Sequence, residues 1–140
     1  MTNRTLAQSY LLKARKRFKV LEVLLKEEAY SDVIREAQEL VELALKGILR
    51  QVGVEPPKQH DVGYLVIEFK DRLPREVADE AKKIAAISKW LRKEREFSFY
   101  GDVDFIPTEE YTLKDARRAI NDANFVLQMA EKVIIDLIDH

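Results

Sequence analysis

Leu6, Tyr10, Ala14, Phe18, Leu21 and Leu25 follow one another at three- and four-residue steps with Lys and Arg on the remaining positions, the period of a helix with one apolar face. This predicts a first helix over roughly residues 3 to 27. A wider stripe follows, Val33, Ile34, Ala37, Leu40, Val41, Ala44, Leu45, Ile48, Leu49 and Val52, as expected of a central bundle helix. Ser31 is its predicted cap, Asp32 sits in the first turn where the helix dipole favours negative charge, and Gly53 with Pro56 and Pro57 stops it, giving roughly 32 to 52. Val62, Leu65, Val66 and Phe69 predict a short third helix ending before Leu73 and Pro74, because the residue before a proline disfavours the helical well. Val77, Ala81, Ile84, Ser88 and Leu91 predict a fourth over roughly 75 to 97, its start favoured by the nearby proline. Thr112 and Asp115 form a capping-box variant, and Ala116, Ile120, Ala123, Leu127, Ala130, Ile134 and Leu137 carry a fifth helix to the end. No segment alternates with the period of a strand.

Four long helices joined mostly by short loops predict an all-α fold, an up-and-down antiparallel bundle of four long helices plus one short helix. Its 140 residues fit a single domain over residues 1 to 140, and 46% hydrophobic residues suffice for one core. Twenty-four basic and twenty-five acidic residues leave a net charge of -1, which gives no global field for DNA and no expectation of DNA groove binding. Without cysteine, a disulfide scaffold, a Cys-ligated zinc and a cysteine nucleophile are all excluded. The N-terminal stretch intersperses basic residues with short apolar groups, which is neither a signal peptide nor a membrane span, so a cytoplasmic location is expected.

The segment from Arg92 to Tyr111 interrupts the helical pattern with cations, aromatic rings and acids. The one long connection, about residues 98 to 111, is of a length that is often functional. Arg92 and Arg95 stand three apart, so they can fork onto one phosphate or complement a helix C-terminus and nearby Glu residues. Phe97, Phe99 and Tyr100 can stack on a base or anchor the loop, with Gly101 giving the turn its freedom. Asp102 and Asp104 supply too few oxygens for a metal site, and no cofactor is expected. Lys46 pairs with Glu42 at a favourable helical spacing or faces a cleft beyond Gly53, and His60 either transfers protons near neutral pH or bonds its turn. There is no Walker loop, HExxH or Gly-x-Ser-x-Gly.

The run Ala37-Gln-Glu-Leu-Val-Glu-Leu-Ala-Leu-Lys-Gly-Ile-Leu-Arg-Gln-Val-Gly53, the following Pro-Pro-Lys-Gln-His60, and Phe97-Ser-Phe-Tyr-Gly-Asp102 with Pro107 and Tyr111 resemble the HEPN domain family, "higher eukaryotes and prokaryotes nucleotide-binding". The resemblance extends over nearly the whole chain. It implies a cytoplasmic helical bundle, commonly a homodimer, often one half of a toxin and antitoxin pair with a nucleotidyltransferase. Several branches are metal-independent ribonucleases carrying an Arg, four to six residues and a His. This chain departs from that pattern, since His60 and His140 are its histidines and Arg50 stands ten positions before His60. No catalytic residue is assigned. The resulting expectation is a nucleotide- or RNA-binding bundle with Lys46, His60, Arg92, Arg95 and Tyr100 around one cleft. Its rivals are a protein-interaction module without a ligand and a ribonuclease with a non-standard site.

Overall fold

The computed structural model describes residues 3–58, 62–99, 101–103 and 105–134. They fold as α1 (Asn3–Lys26), α2 (Tyr30–Gln51), α3 (Gly63–Glu68), a single 3-10 turn (Lys70–Arg72), α4 (Arg75–Ala78), α5 (Ala81–Phe99), α6 (Pro107–Glu110) and α7 (Leu113–Val133). The described residues contain no strand beyond one isolated bridge between Asp102 and Phe105. The long elements α1, α2, α5 and α7 form the all-α bundle that the apolar stripes predict.

Helix α2 lies at the centre, packed against α1, α7 and α5, whereas α5 and α7 touch each other only sparsely. Small residues explain this asymmetry. Ala37, Ala44 and Gly47 on α2 and Ala116, Ala119, Ala123 and Ala130 on α7 are buried, so these two backbones approach closely. A Cβ on Gly47 would stand 2.9 Å from Ile134 Cδ1 and 3.3 Å from Tyr10 Cβ, which places this glycine where α1, α2 and the end of α7 converge. Helix α5 packs on α2 and meets α7 through few residues, which leaves a seam between α5 and α7.

Three boundaries differ from expectation. Ser31 does not cap α2: it lies inside the helix and is buried, and Ala29 holds the cap position with no side-chain bond. The reason is the brevity of the α1–α2 turn, where Glu28 takes a left-handed φ of 58° and Ala29 N–H bonds Leu24 O at 2.9 Å, handing the chain directly into α2. Second, the predicted fourth helix is two pieces. Glu80 N–H bonds Val77 O at 3.0 Å, a tightened turn, before α5 begins at Ala81. Val77, Ala81 and Ile84 are buried on both sides of this break, so the apolar period runs through it unchanged. Third, α7 ends at Val133; Leu137 and His140 lie outside the described residues.

Gly53 ends α2 as expected, with φ 84° and Val54 N–H on Leu49 O at 2.8 Å. Arg72 adds a contact that periodicity does not encode, donating from Nη1 to Val52 O at 3.1 Å while its guanidinium lies 4.9 Å from the Phe69 ring centre.

Candidate functional site

The connection after α5 is shorter as an irregular segment than its sequence implies, because a bridge and a helical turn order it. Gly101 has φ 74°, and a Cβ there would lie 2.5 Å from Pro107 Cδ and 2.6 Å from Phe105 O. Only glycine fits. Asp102 and Phe105 exchange backbone hydrogen bonds of 2.8 and 3.0 Å, and Pro107 then begins α6. The Phe105 ring sits edge-on between Phe97 and Tyr111, 5.5 Å from each ring centre. Tyr111 donates its hydroxyl to Glu94 Oε1 at 3.0 Å. Burial, this bond to Glu94, and the neighbouring charges of Glu94 and Asp115 raise the phenol well above its usual range. Phe97, Phe105 and Tyr111 therefore tie the connection to α5. Asp104 lies outside the described residues.

At the end of this connection Thr112 caps α7 as predicted. Its Oγ1 accepts from Asp115 N–H at 3.3 Å, and Asp115 Oδ2 accepts from Thr112 N–H at 2.9 Å.

Three of the five candidate residues share one wall. Because α2 and α5 run antiparallel, Arg95 meets Glu39 at 2.7 Å and Arg92 meets Glu42 at 3.3 Å, while Lys46 approaches Glu42 from within α2 at 3.8 Å. Sequence spacing along α5 shows the two arginines as neighbours but cannot show that α2 brings a carboxylate to each. The guanidinium of Arg95 is half exposed, so its ion pair is screened and of modest strength. His60 and Tyr100 lie outside the described residues.

A second surface, along the α5–α7 seam, carries chemistry that the apolar stripes conceal. The two helices are antiparallel, so Lys83 reaches Phe125 near one end and Trp90 meets Arg118 and Asp122 near the middle. Lys83 Nζ lies 3.9 Å from the Phe125 ring centre, and Arg118 Cζ lies 4.0 Å from the Trp90 ring centre. Trp90 Nε1 donates to Asp122 Oδ2 at 2.8 Å, and the same oxygen stands 4.0 Å from Arg118 Nε. An open depression of about 530 Å³ beside this stack is lined by Leu113, Lys114, Arg117, Arg118, Asn121 and Asp122. Lys82, Lys89 and Lys93 fall on the exposed side of α5. The signal that could have found this surface is the three-to-four spacing of Lys114, Arg117, Arg118 and Asn121 read jointly with Trp90.

No helix among the described residues is long and apolar enough to cross a membrane. Among the same residues no group of three or more His, Asp or Glu is placed to hold a metal ion.

An all-helical bundle with a central alanine- and leucine-rich helix, a glycine stop and an aromatic connection before the last helix defines the class. The HEPN domain family model matches residues 7–133, and the chain belongs to the HEPN domain family. It is similar to a protein of Methanocaldococcus jannaschii named "Putative toxin MJ1304", 27% identical over 129 residues that cover 88% of this chain and 84% of that relative. Searching solved structures finds no match.

Proposed function

We propose that this HEPN domain is a toxin-type module that binds a nucleotide or an RNA end on the α2–α5 wall, with Lys46, Arg92 and Arg95 receiving phosphate. The observation that carries this reading is the convergence of these three cations on Glu39 and Glu42. The carboxylates hold the side chains in position, and an incoming phosphate, with more charge and more acceptor oxygens than a carboxylate, takes their place. His60 and Tyr100 are assigned to the same ligand, the tyrosine for its base. No hydrolytic step is assigned, because the Arg and His spacing of the family's ribonucleases has no counterpart around His60. The toxin designation of the archaeal relative supports the class.

The test is a thermal shift with ATP and GMP. A ligand at ten times its Kd adds about 1.4 kcal/mol, a rise of about 4 °C for a chain of this size. Arg95→Ala should erase that rise. No shift with a panel of nucleotides, or an unchanged shift in Arg95→Ala, refutes the reading.

A partner-binding role is favoured by a separate observation. Phe97, Val103, Ile106 and Leu113 are exposed around the aromatic connection, Val103 at 91%. Apolar side chains gathered at one end of a bundle fit a protein partner, and a nucleotidyltransferase is the partner we assign, alongside a second copy of the chain in a homodimer. Co-expression with such a partner should give a co-purifying complex that Val103→Asp weakens; a complex indifferent to this change removes the patch from the interface.

A further inference from the structure

We propose that the α5–α7 seam and the exposed side of α5 form a track for single-stranded RNA, in which the outer face of the Arg118 guanidinium stacks on a base. This goes beyond the α2–α5 wall and shares with that reading only the nucleic-acid class of ligand.

The centre of the track is a three-part assembly. Trp90 is fixed by its N–H bond to Asp122 at 2.8 Å, and Arg118 lies over the indole at 4.0 Å with the same carboxylate 4.0 Å from its Nε. The inner face of the guanidinium is thus occupied by a ring. Its side chain is nevertheless 61% exposed, so the opposite face of a flat, oriented cation is open to solvent. Such a plane accepts a nucleobase as an aromatic ring does, and it cannot lose its charge. A guanidinium already held flat has less freedom to lose on binding than a free arginine.

Phosphate-binding charge surrounds this platform. Lys82, Lys89 and Lys93 are exposed along α5, the last two about 6 Å apart along the helix axis at the usual rise per residue. Lys114 stands exposed one helical turn before Arg118, and Arg117 is exposed immediately before it. None of these five forms an ion pair among the described residues. Of the acids nearby, Asp122 bonds Trp90 and stands 4.0 Å from Arg118, Asp115 caps α7 and Glu94 accepts from Tyr111, so their carboxylates are held in place while keeping their charge. The five exposed cations outnumber these three acids, so positive charge is in excess here although the whole chain carries a net charge of -1.

This chemistry favours a single strand over a duplex, whose bases are stacked on each other and present no open face. It favours RNA over an acidic peptide, because a peptide carboxylate would use the charge and leave the stacking plane vacant.

Trp90 is the only tryptophan in the chain, so its emission reports directly on the site. We would titrate the full chain with fluorescein-labelled 12-nucleotide oligoadenine and oligouridine, following anisotropy and, with unlabelled strands, tryptophan emission. Binding should change the Trp90 emission, and oligoadenine should bind more tightly because purines stack more extensively. Arg118→Ala should weaken oligoadenine binding about tenfold. Arg118→Lys keeps the charge and should retain the salt dependence while losing the purine preference. The double variant Lys89→Ala/Lys93→Ala should reduce the slope of log affinity against log salt by about 1.4 and keep that preference.

The proposal is overturned if neither strand binds at low salt, if duplex RNA binds as well as single-stranded, if polyglutamate competes as well as RNA, or if Arg118→Ala binds like the parent. Affinity lost in Arg95→Ala and kept in Arg118→Ala overturns the seam and leaves the wall. Loss in Arg118→Ala, with no nucleotide-dependent thermal shift in the parent protein, supports the seam and removes the wall.

Discussion

The two sides of α5 set cations in different surroundings. Toward α2, Arg92 and Arg95 meet carboxylates that α2 supplies, so positive charge is neutralised where it stands. Toward α7, Lys83 meets the Phe125 ring and Trp90 carries Arg118 of α7, whose Nε also stands 4.0 Å from Asp122. A cation over a ring keeps its charge, whereas a cation beside a carboxylate largely loses its field at a distance. What surrounds a basic residue, more than how many basic residues there are, decides whether a polyanion can use it. The wall is accordingly a site that a phosphate must enter by displacing an acid, and the seam is a site where Arg118 keeps a ring beside its carboxylate and the surrounding lysines form no ion pair among the described residues.

The largest effect that would break this comparison is expected at Trp90. Trp90→Ala removes a half-buried ring that both orients Arg118 and joins α5 to α7, and it should cost about 2 kcal/mol in urea unfolding, below the range for a fully buried aromatic. Arg95→Ala, by contrast, should change stability by less than about 1 kcal/mol, since an exposed ion pair contributes little. Equal costs would mean that the seam is no more than another exposed surface.

A smaller change sharpens the contrast at the wall. Glu42→Gln leaves the shape of the side chain and removes the charge shared by Arg92 and Lys46. If acids mask these cations, nucleotide affinity should rise by about 1 kcal/mol, or about fivefold, the Coulomb energy of one such pair in water. Isothermal titration of parent and variant measures it, and an unchanged or weaker affinity would mean that Glu42 is not the mask.

The smallest effect concerns the connection that separates the two faces. Tyr111 has its phenol pKa raised above the usual 10.0 by burial and by Glu94. Below pH 10 folded and unfolded chains both keep the proton. Above it the unfolded chain releases the proton first, so the folded state binds more protons and stability falls as pH rises. Thermal melts between pH 8 and 11 should therefore show a shallower alkaline decline in Tyr111→Phe than in the parent. Parallel declines would show that Tyr111 keeps an ordinary pKa.

Much of the fold was legible because helix period and apolar burial report the same quantity. The stripes of α2 and α7 are the faces that became buried, while on α1 the buried centre is Ala7, Leu11, Ala14 and Leu21 with Leu6, Tyr10, Phe18 and Leu25 half-buried at its edge; Gly53 and the Thr112 and Asp115 pair acted as local signals that need no tertiary partner. The break before Ala81 was not legible, because the buried face continues across it in register. Ser31 misled for a related reason: its residue type suits a cap, but the three-residue turn, left-handed at Glu28, gives the cap position to Ala29 and places Ser31 inside the helix.

The candidate site was legible only in part. Lys46, Arg92 and Arg95 were expected where the end of α2 meets the end of α5; they share a wall, but the antiparallel pairing sets Arg95 beside Glu39 and turns the Gly53 end of α2 toward the start of α5. Their acidic partners were not, because Glu39 and Arg95 are 56 residues apart and only the antiparallel pairing of α2 and α5 brings them together. Arg118 and Trp90 were missed on the same ground.

By itself the sequence determined the family, the all-helical class and the positions of the long helices, since each of these depends on interactions within a few turns of chain. Tertiary structure alone decided which cations are neutralised and which remain available. That outcome depends on which residues the pairing of α5 with α2 and with α7 sets opposite one another, and no local pattern records it.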